Sequence, residues 1–374
     1  MPAKTGMRIQ QTVISVVCIP VPPFAILYVA GENRANPRCA GRSQTDNFQQ
    51  RVTNMTAPEV GQSRQVLNIG MIGLDTSHVL AFMKLLHDKN DPWHVPGGKV
   101  VAAYPGGSPD FPSSISKVSE YTATLREEYG VRIVDSPEEV AEASDAVLLH
   151  SVDGRVHLPQ FRRIAGYGKP VFIDKPFAVS SADAREIVRL AEAHRVPLMS
   201  ASSLRYAKAL QDAIGSGGKS PVIGADACGP MALEPTQPGL FWYGIHAAEM
   251  LYAVMGEGCV QVTAVTSDDH DVAAGLWSDG RIGVIRGNRK GNGSFGVAIH
   301  REKGIDWVYA QSDPKPKYAS LLEVILDMFR TGVPPLPASE TLEVIRFLEA
   351  ANESRKTGRT VYLDKTASKA GEAS

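Results

Sequence analysis

The chain has 374 residues, 43% of them hydrophobic and 21% charged, with a formal net charge of −1. That length allows two domains with separate cores, and the composition is ordinary for a globular protein. A near-neutral charge without any basic run argues against an electrostatic nucleic-acid binder.

Four cysteines (Cys18, Cys39, Cys228 and Cys259) show no metal or disulfide spacing, so no metal site is expected and inert thiols in a reducing compartment are the default. No apolar stretch is long and unbroken enough to span a bilayer. Residues 1–64 are set aside from the fold. Thr12 to Ala30 is apolar but interrupted by Pro20, Pro22 and Pro23, and Glu32 to Arg64 is polar and without periodicity, which reads as disorder. Two readings stay open: a leader ending near Ala30-Gly31, with export, or an over-called start with Met55 as the natural one and a cytoplasmic protein.

Val66 to Gly73 is an apolar run bounded by glycine, a first buried strand, and Thr76 to Leu86 follows with helical spacing. Lys99 to Tyr104 is a second strand, stopped by Pro105-Gly106-Gly107. A helical stretch, Ile115 to Tyr129, precedes a third strand at Val131 to Val134. Ser136-Pro137-Glu138-Glu139 starts a helix, with proline first and acids in the first turn. Asp145 to His150, Val171 to Asp174 and Pro197 to Ala201 are further strands, separated by helices at Leu158 to Tyr167 and Ser181 to His194. Such alternation predicts an α/β fold whose N-terminal half is a Rossmann-like, doubly wound parallel sheet, residues 65–203.

After Leu204 the pattern changes. Helices at Ala207 to Ile214 and Tyr243 to Val254 frame a strand at Val222 to Ala227. Five strand-like runs then follow one another: Val260 to Thr266, Val272 to Trp277, Ile282 to Arg286, Phe295 to His300 and Trp307 to Ala310. Ser278-Asp279-Gly280 and Arg289-Lys290-Gly291-Asn292-Gly293 read as hairpin links. Residues 204–336 are therefore expected to form a C-terminal α+β domain on a largely antiparallel open sheet. Two helices, Tyr318 to Arg330 and Glu340 to Lys356, close the chain. Residues 337–364 are expected to return to the N-terminal domain, and 365–374 to be a tail.

The most informative segment is Phe172-Ile-Asp-Lys175-Pro176. A lysine at the carboxyl end of a buried parallel strand points into the crevice where doubly wound sheets bind ligands. Proline fixes the chain just after it and is the residue at which a cis bond is tolerated. The plain alternative is a strand ending in a solvated turn.

Several motifs in this order resemble the Gfo/Idh/MocA oxidoreductases. They are Asn68-Ile-Gly70-Met-Ile-Gly73, Asp145-Ala-Val-Leu-Leu with His157 beyond it, Gly168-Lys169-Pro170-Val-Phe-Ile-Asp174-Lys175-Pro176, Arg205-Tyr206, and Gly244-Ile-His246-Ala-Ala-Glu249. The resemblance spans Val66 to Leu363. It implies NAD or NADP as cofactor and a sugar, polyol or sugar-derived hydroxyl as substrate. Lys175 would bind that hydroxyl or the nicotinamide ribose, and an ammonium beside a developing alkoxide stabilises it without reorganisation. His246 would be the general base, oriented by Glu249 or Tyr243.

The departures are informative. The dinucleotide fingerprint Gly-x-Gly-x-x-Gly reads Gly73-Leu-Asp75-Thr76-Ser77-His78. Asp75 is either a helix cap or a carboxylate facing the diphosphate, while Thr76, Ser77 and His78 offer donors and Gly70 and Gly73 the close approach. The acid that holds the ribose diol is missing from Tyr104-Pro105-Gly106-Gly107-Ser108, and the family's catalytic acid falls on Trp242. Asp153 and His157 follow the fourth strand, where they contact cofactor or substrate or else serve a loop turn with a helix-capping role; Arg205 is either a substrate contact or part of a structural ion pair, and Trp242 is a further substrate candidate. Trp277 and Arg281 read as hairpin residues with a secondary chance of framing a sugar. The family's open sheet also implies a homo-oligomer. The rival reading is a non-catalytic dinucleotide- or sugar-binding sensor that keeps the fold.

Overall fold

Strands with no polar side of their own must be covered on both faces, and the first half of the chain supplies a sheet of six strands whose central members are of that kind. In the computed structural model, which describes residues 66–215 and 220–363, the six are β1 (Leu67–Ile72), β2 (Gly98–Tyr104), β3 (Arg132–Ile133), β4 (Ala146–Leu149), β5 (Val171–Ile173) and β6 (Leu198–Ser200). All pair in parallel, in the order β3-β2-β1-β4-β5-β6. Helices α1 (Ser77–His87), α2 (Pro112–Glu127), α3 (Pro137–Ala143), α4 (His157–Ile164) and α5 (Ser181–His194) connect them. Strand order reverses between β1 and β4, and there the strand ends open a crevice. The start of α3 follows the expected chemistry: Ser136 accepts from the Glu139 amide, and Pro137 opens the helix. The expectations for residues 1–64 and 365–374 lie outside the described residues.

Beyond β6 a 3-10 turn (Ser203–Tyr206) and α6 (Lys208–Gly215) lead to the second sheet. It contains β7 (Val222–Pro230), β8 (Cys259–Thr266), β9 (His270–Trp277), β10 (Ile282–Asn288), β11 (Gly296–Arg301), β12 (Gly304–Tyr309) and β13 (Val361–Tyr362), in the order β12-β11-β7-β10-β9-β8-β13. One pair, β7 with β10, is parallel, and the rest are antiparallel. Helix α7 (Gly244–Met255) covers one face of this sheet.

Two expectations need correction. Arg289 to Gly293 is not a hairpin, because β7 lies between β10 and β11 and the segment crosses over it. The Ser278-Asp279-Gly280 link is one: Trp277 donates to Arg281, and Gly280 takes a left-handed φ of 90°. Trp277 itself is core, so it does not frame a ligand. The return to the first domain is also shared differently. Helix α8 (Lys317–Thr331) buries Leu322, Ile325 and Leu326 against Ile69, Val79 and Phe82 of β1 and α1. Helix α9 (Ala338–Thr357) packs on α5, α7 and β8, and β13 pairs with β8 of the second sheet, not with the first.

Because α8 is held by its buried face, Ile325→Ala is expected to cost about 2–5 kcal/mol, the usual range for a large-to-small core change. A denaturant titration should show a lower midpoint with an unchanged slope.

Candidate active site

Strand β5 is fully buried and ends on two charged residues that are nearly so, Asp174 at 2% exposure and Lys175 at 8%. The Lys175–Pro176 bond is cis. Asp174 Oδ2 accepts from Nδ1 of His78 at 2.5 Å and from Nδ1 of His150 at 3.1 Å, while its Oδ1 accepts from the Lys175 amide at 2.7 Å. Burial alone would raise this carboxyl; its interactions with the two histidines outweigh burial and hold it well below the usual range. Burial lowers the Lys175 amine, against the pull of Asp174. Its Nζ stands 5.6 Å from the centre of the Trp242 ring.

From the second domain, α7 brings His246 to the same place. Its Nδ1 bonds Ser202 Oγ at 2.7 Å, and its ring packs edge-on against Tyr243 and Phe295. Burial, then Lys175 and His78, hold the imidazole well below its ordinary value, so it is neutral. Glu249 does not orient it. That carboxylate accepts from Arg205 Nε at 2.6 Å, and Arg205 also donates to Glu340 at 2.6 Å. Arg205 is thus spent on buried ion pairs and is not free for a substrate, and Ser202 takes the orienting role assigned to Glu249 or Tyr243.

Three residues of this site escaped the sequence reading. Ser202 follows the end of β6 and had the same strand-end signal as Lys175. Lys317 and Tyr318 open α8, where nothing in their spacing marks them. The Tyr318 ring lies 4.8 Å from that of His78, and burial pushes its hydroxyl up to about 12; burial also lowers Lys317.

The turn after β1 is not built as the fingerprint implies. Gly73 has φ +87°, and a Cβ there would meet the Ser151 amide nitrogen at 2.3 Å. The Gly73 and Leu74 amides donate to the carbonyls of Tyr104 and Pro105. Asp75 is fully buried, accepting from Ser114 Oγ at 2.6 Å and from the Val152 amide at 2.9 Å. It is therefore neither the helix cap nor a carboxylate turned to a diphosphate; Thr76 is the cap of α1. Gly70 makes room for α3, since a Cβ there would strike Val140. His78 is drawn away from the helix mouth towards Asp174.

Asp153 and His157 also tie loops. Burial pushes Asp153 up, yet hydrogen bonds from Arg155, Gln237 and Ser108 prevail and hold it at about 2. His157 is fully buried between the carbonyls of Ser151 and Phe177. Above them Phe111 meets Trp242 edge-on at 5.1 Å, joining the β2–α2 loop to the second domain.

What remains for a dinucleotide is the N-terminus of α1, with Thr76 and an exposed Ser77. No acid lies in its first turn, and the one carboxylate nearby is turned inward. The positive end of the helix dipole and the Thr76 and Ser77 hydroxyls there suit a diphosphate, so the residues fit the group through the helix end and not through glycines. His78, His150 and Asp174 place one donor atom each within 4.8 Å of one another. Both Nδ1 atoms are engaged with the carboxylate, and Lys175 follows directly.

Residues 67–202 match the family model described as the Gfo/Idh/MocA "Oxidoreductase family, NAD-binding Rossmann fold". Among solved structures the fold is similar to a myo-inositol dehydrogenase from Corynebacterium glutamicum ATCC 13032, at 18% identity and TM-score 0.64, over 80% of this chain and 100% of that one. It is likewise similar to apo scyllo-inositol dehydrogenase from Lactobacillus casei, at 15% identity and TM-score 0.66, over 80% and 99%. A third is GenD2 from gentamicin A biosynthesis in complex with NAD, at 18% identity and TM-score 0.65, over 83% and 100%. No curated protein matches the chain in sequence.

Two stability outcomes follow from these buried charges. Burial raises the Asp75 carboxyl, so the folded state holds that proton more tightly than the unfolded chain. This contribution is full below the unfolded value and fades as pH rises through the folded one. Asp75→Asn should flatten that fall, whereas Asp75→Ala should lose about 1–3 kcal/mol by stranding the Val152 amide. Arg205→Ala should cost about 3–5 kcal/mol, because it leaves two carboxylates buried without a cation. Thermal unfolding across a pH series reads both.

Proposed function

We propose, from the match of residues 67–202 to the Gfo/Idh/MocA family model with its NAD-binding Rossmann fold, that the protein oxidises a hydroxyl of a sugar or polyol with NAD or NADP. The observation that carries this reading is the meeting of Lys175 and His246, from two domains, at the crevice beside the α1 N-terminus. The bound nicotinamide supplies a hydride acceptor. Lys175 places a positive charge beside the oxygen that gains negative charge. His246, its Nδ1 occupied by Ser202, leaves Nε2 for the substrate hydroxyl. Trp242 and Tyr243 offer ring faces suited to the C–H side of a sugar, and Thr76 and Ser77 hold the diphosphate. No acid stands in Tyr104 to Ser108 to reject a 2′-phosphate, so either dinucleotide is accommodated.

A sensor without turnover is the second reading, favoured by the tryptophan at 242 in place of an acid. Free Cys228 and Cys259 suit a cytoplasmic setting. On the open face of the second sheet, Ile282, Ile305, Trp307 and Tyr309 are exposed, a surface we assign to a second copy of the chain. No helix among the described residues is long and apolar enough to cross a membrane.

The test is reduction of NAD or NADP by a panel of cyclic polyols and aldoses. Lys175→Ala and His246→Ala should each lower kcat by about a hundred- to ten-thousand-fold while the fold survives. Nucleotide should raise Tm, since binding the folded state at a hundred times Kd adds about 2.7 kcal/mol. A Tm shift with no turnover on any substrate would favour the sensor; no shift at millimolar nucleotide would remove the dehydrogenase reading.

A further inference from the structure

Oxidation of a hydroxyl releases a proton, and α7 has no carboxylate to support an imidazolium at His246: position 242 is tryptophan and Glu249 is bound to Arg205. A supported histidine stands elsewhere. His78 occupies the first turn of α1, and its Nδ1 bonds Asp174 Oδ2 at 2.5 Å. An ionised carboxylate accepts, so Nδ1 carries the hydrogen and Nε2 carries the lone pair.

The two histidines on Asp174 differ in what their far nitrogens meet. His150 is fully buried, and its Nε2 is sealed without a partner. His78 Nε2 has no protein partner either, but it is not sealed, and the side chain keeps 9% exposure towards the crevice. Its neighbours are Asp174, Lys175 and His150 from the strand ends, Tyr318 from α8 and His246 from α7. His150 thus steadies the carboxylate, and His78 presents a base.

Resting on the dehydrogenase reading, we infer that His78, backed by Asp174, takes the proton of the substrate hydroxyl, while His246 and Lys175 hold the oxygen. The O–H bond breaks towards His78 Nε2 and the C–H pair leaves as hydride to the bound nicotinamide dinucleotide. A carbonyl forms, and the imidazolium passes its proton to water. Burial draws His78 below its ordinary value against the pull of Asp174, so the base form is present at neutral pH.

The experiment combines imidazole 15N NMR of the full-length protein with kinetics on NAD and the polyol that wild type oxidises best. Wild-type His78 should show a protonated Nδ1 and a bare Nε2 at pH 7.5, and should titrate at lower pH in Asp174→Asn. His78→Gln should lose a hundred- to ten-thousand-fold in kcat, with little change in KM. It should also lose the rise of kcat/KM with pH through the histidine range. His78→Ala should recover part of its turnover with added imidazole, which a purely structural role would not give. The assignment is overturned if His78→Gln turns over normally where Lys175→Ala does not, or if the proton sits on Nε2. It is equally overturned if a stoichiometric divalent metal on purified protein displaces the Nδ1 protons. A wild type that oxidises none of the polyols overturns the dehydrogenase reading itself, whatever the NMR shows.

Discussion

A guanidinium buried away from water must be met by carboxylates, and Arg205 is met by one from α7 and one from α9. This ion pair sits where the chain leaves the first sheet, so it decides how the second domain's helices are set against the strand ends. Its geometry is a ladder of two rungs. Ser202 and Arg205 are three residues apart, as are His246 and Glu249. Ser202 bonds His246, and Arg205 bonds Glu249. Pinning the lower rung orients α7 about its axis and thereby turns His246 to the crevice.

The second centre of organisation is Asp174. One carboxylate takes hydrogen bonds from α1, from the end of β4 and from its own neighbour's backbone. Low local dielectric strengthens such a network and makes each missing member costly. Because Asp174 stays ionised, the lysine beside it keeps a counter-charge despite its burial, while His246, with none in contact, stays neutral.

Much of the fold could be read from periodicity. The six parallel strands have the expected order of elements because continuous apolar runs, helix starts such as Ser136-Pro137 and glycine breaks are local signals. Edge order in the second sheet was not legible, since β7 inserts between β10 and β11 through pairing that no local pattern encodes. At the site, Lys175 was visible from its place at a strand end, and His246 only through the resemblance its motif carries. Glu249 was misread as orienting His246, while Arg205, open between a substrate contact and a structural ion pair, forms the ion pair; which carboxylate on a separate element meets it is concealed by sequence distance. Asp75 was misjudged for the same reason: its partners, Ser114 and Val152, are remote in the chain. Lys317 and Tyr318 arrive from a helix whose only signal is its buried stripe.

The turned-in carboxylate of Asp75 bears on how such a crevice can be re-engineered. In a glycine-rich turn the backbone is the binding surface, and side chains are absent so that a ligand can approach. Here the same turn is a joint: one aspartate fastens the β2–α2 segment to the β4–α4 loop. Writing the missing glycines back would cut that joint without recreating a cradle, because Ser151 already fills the space beside Gly73. A designer wishing to change nucleotide preference would leave the turn intact and work outward from Tyr104 to Ser108, where half-exposed backbone meets solvent. The chain thus separates two properties usually merged in one loop, the rigidity of the crevice and its choice of ligand.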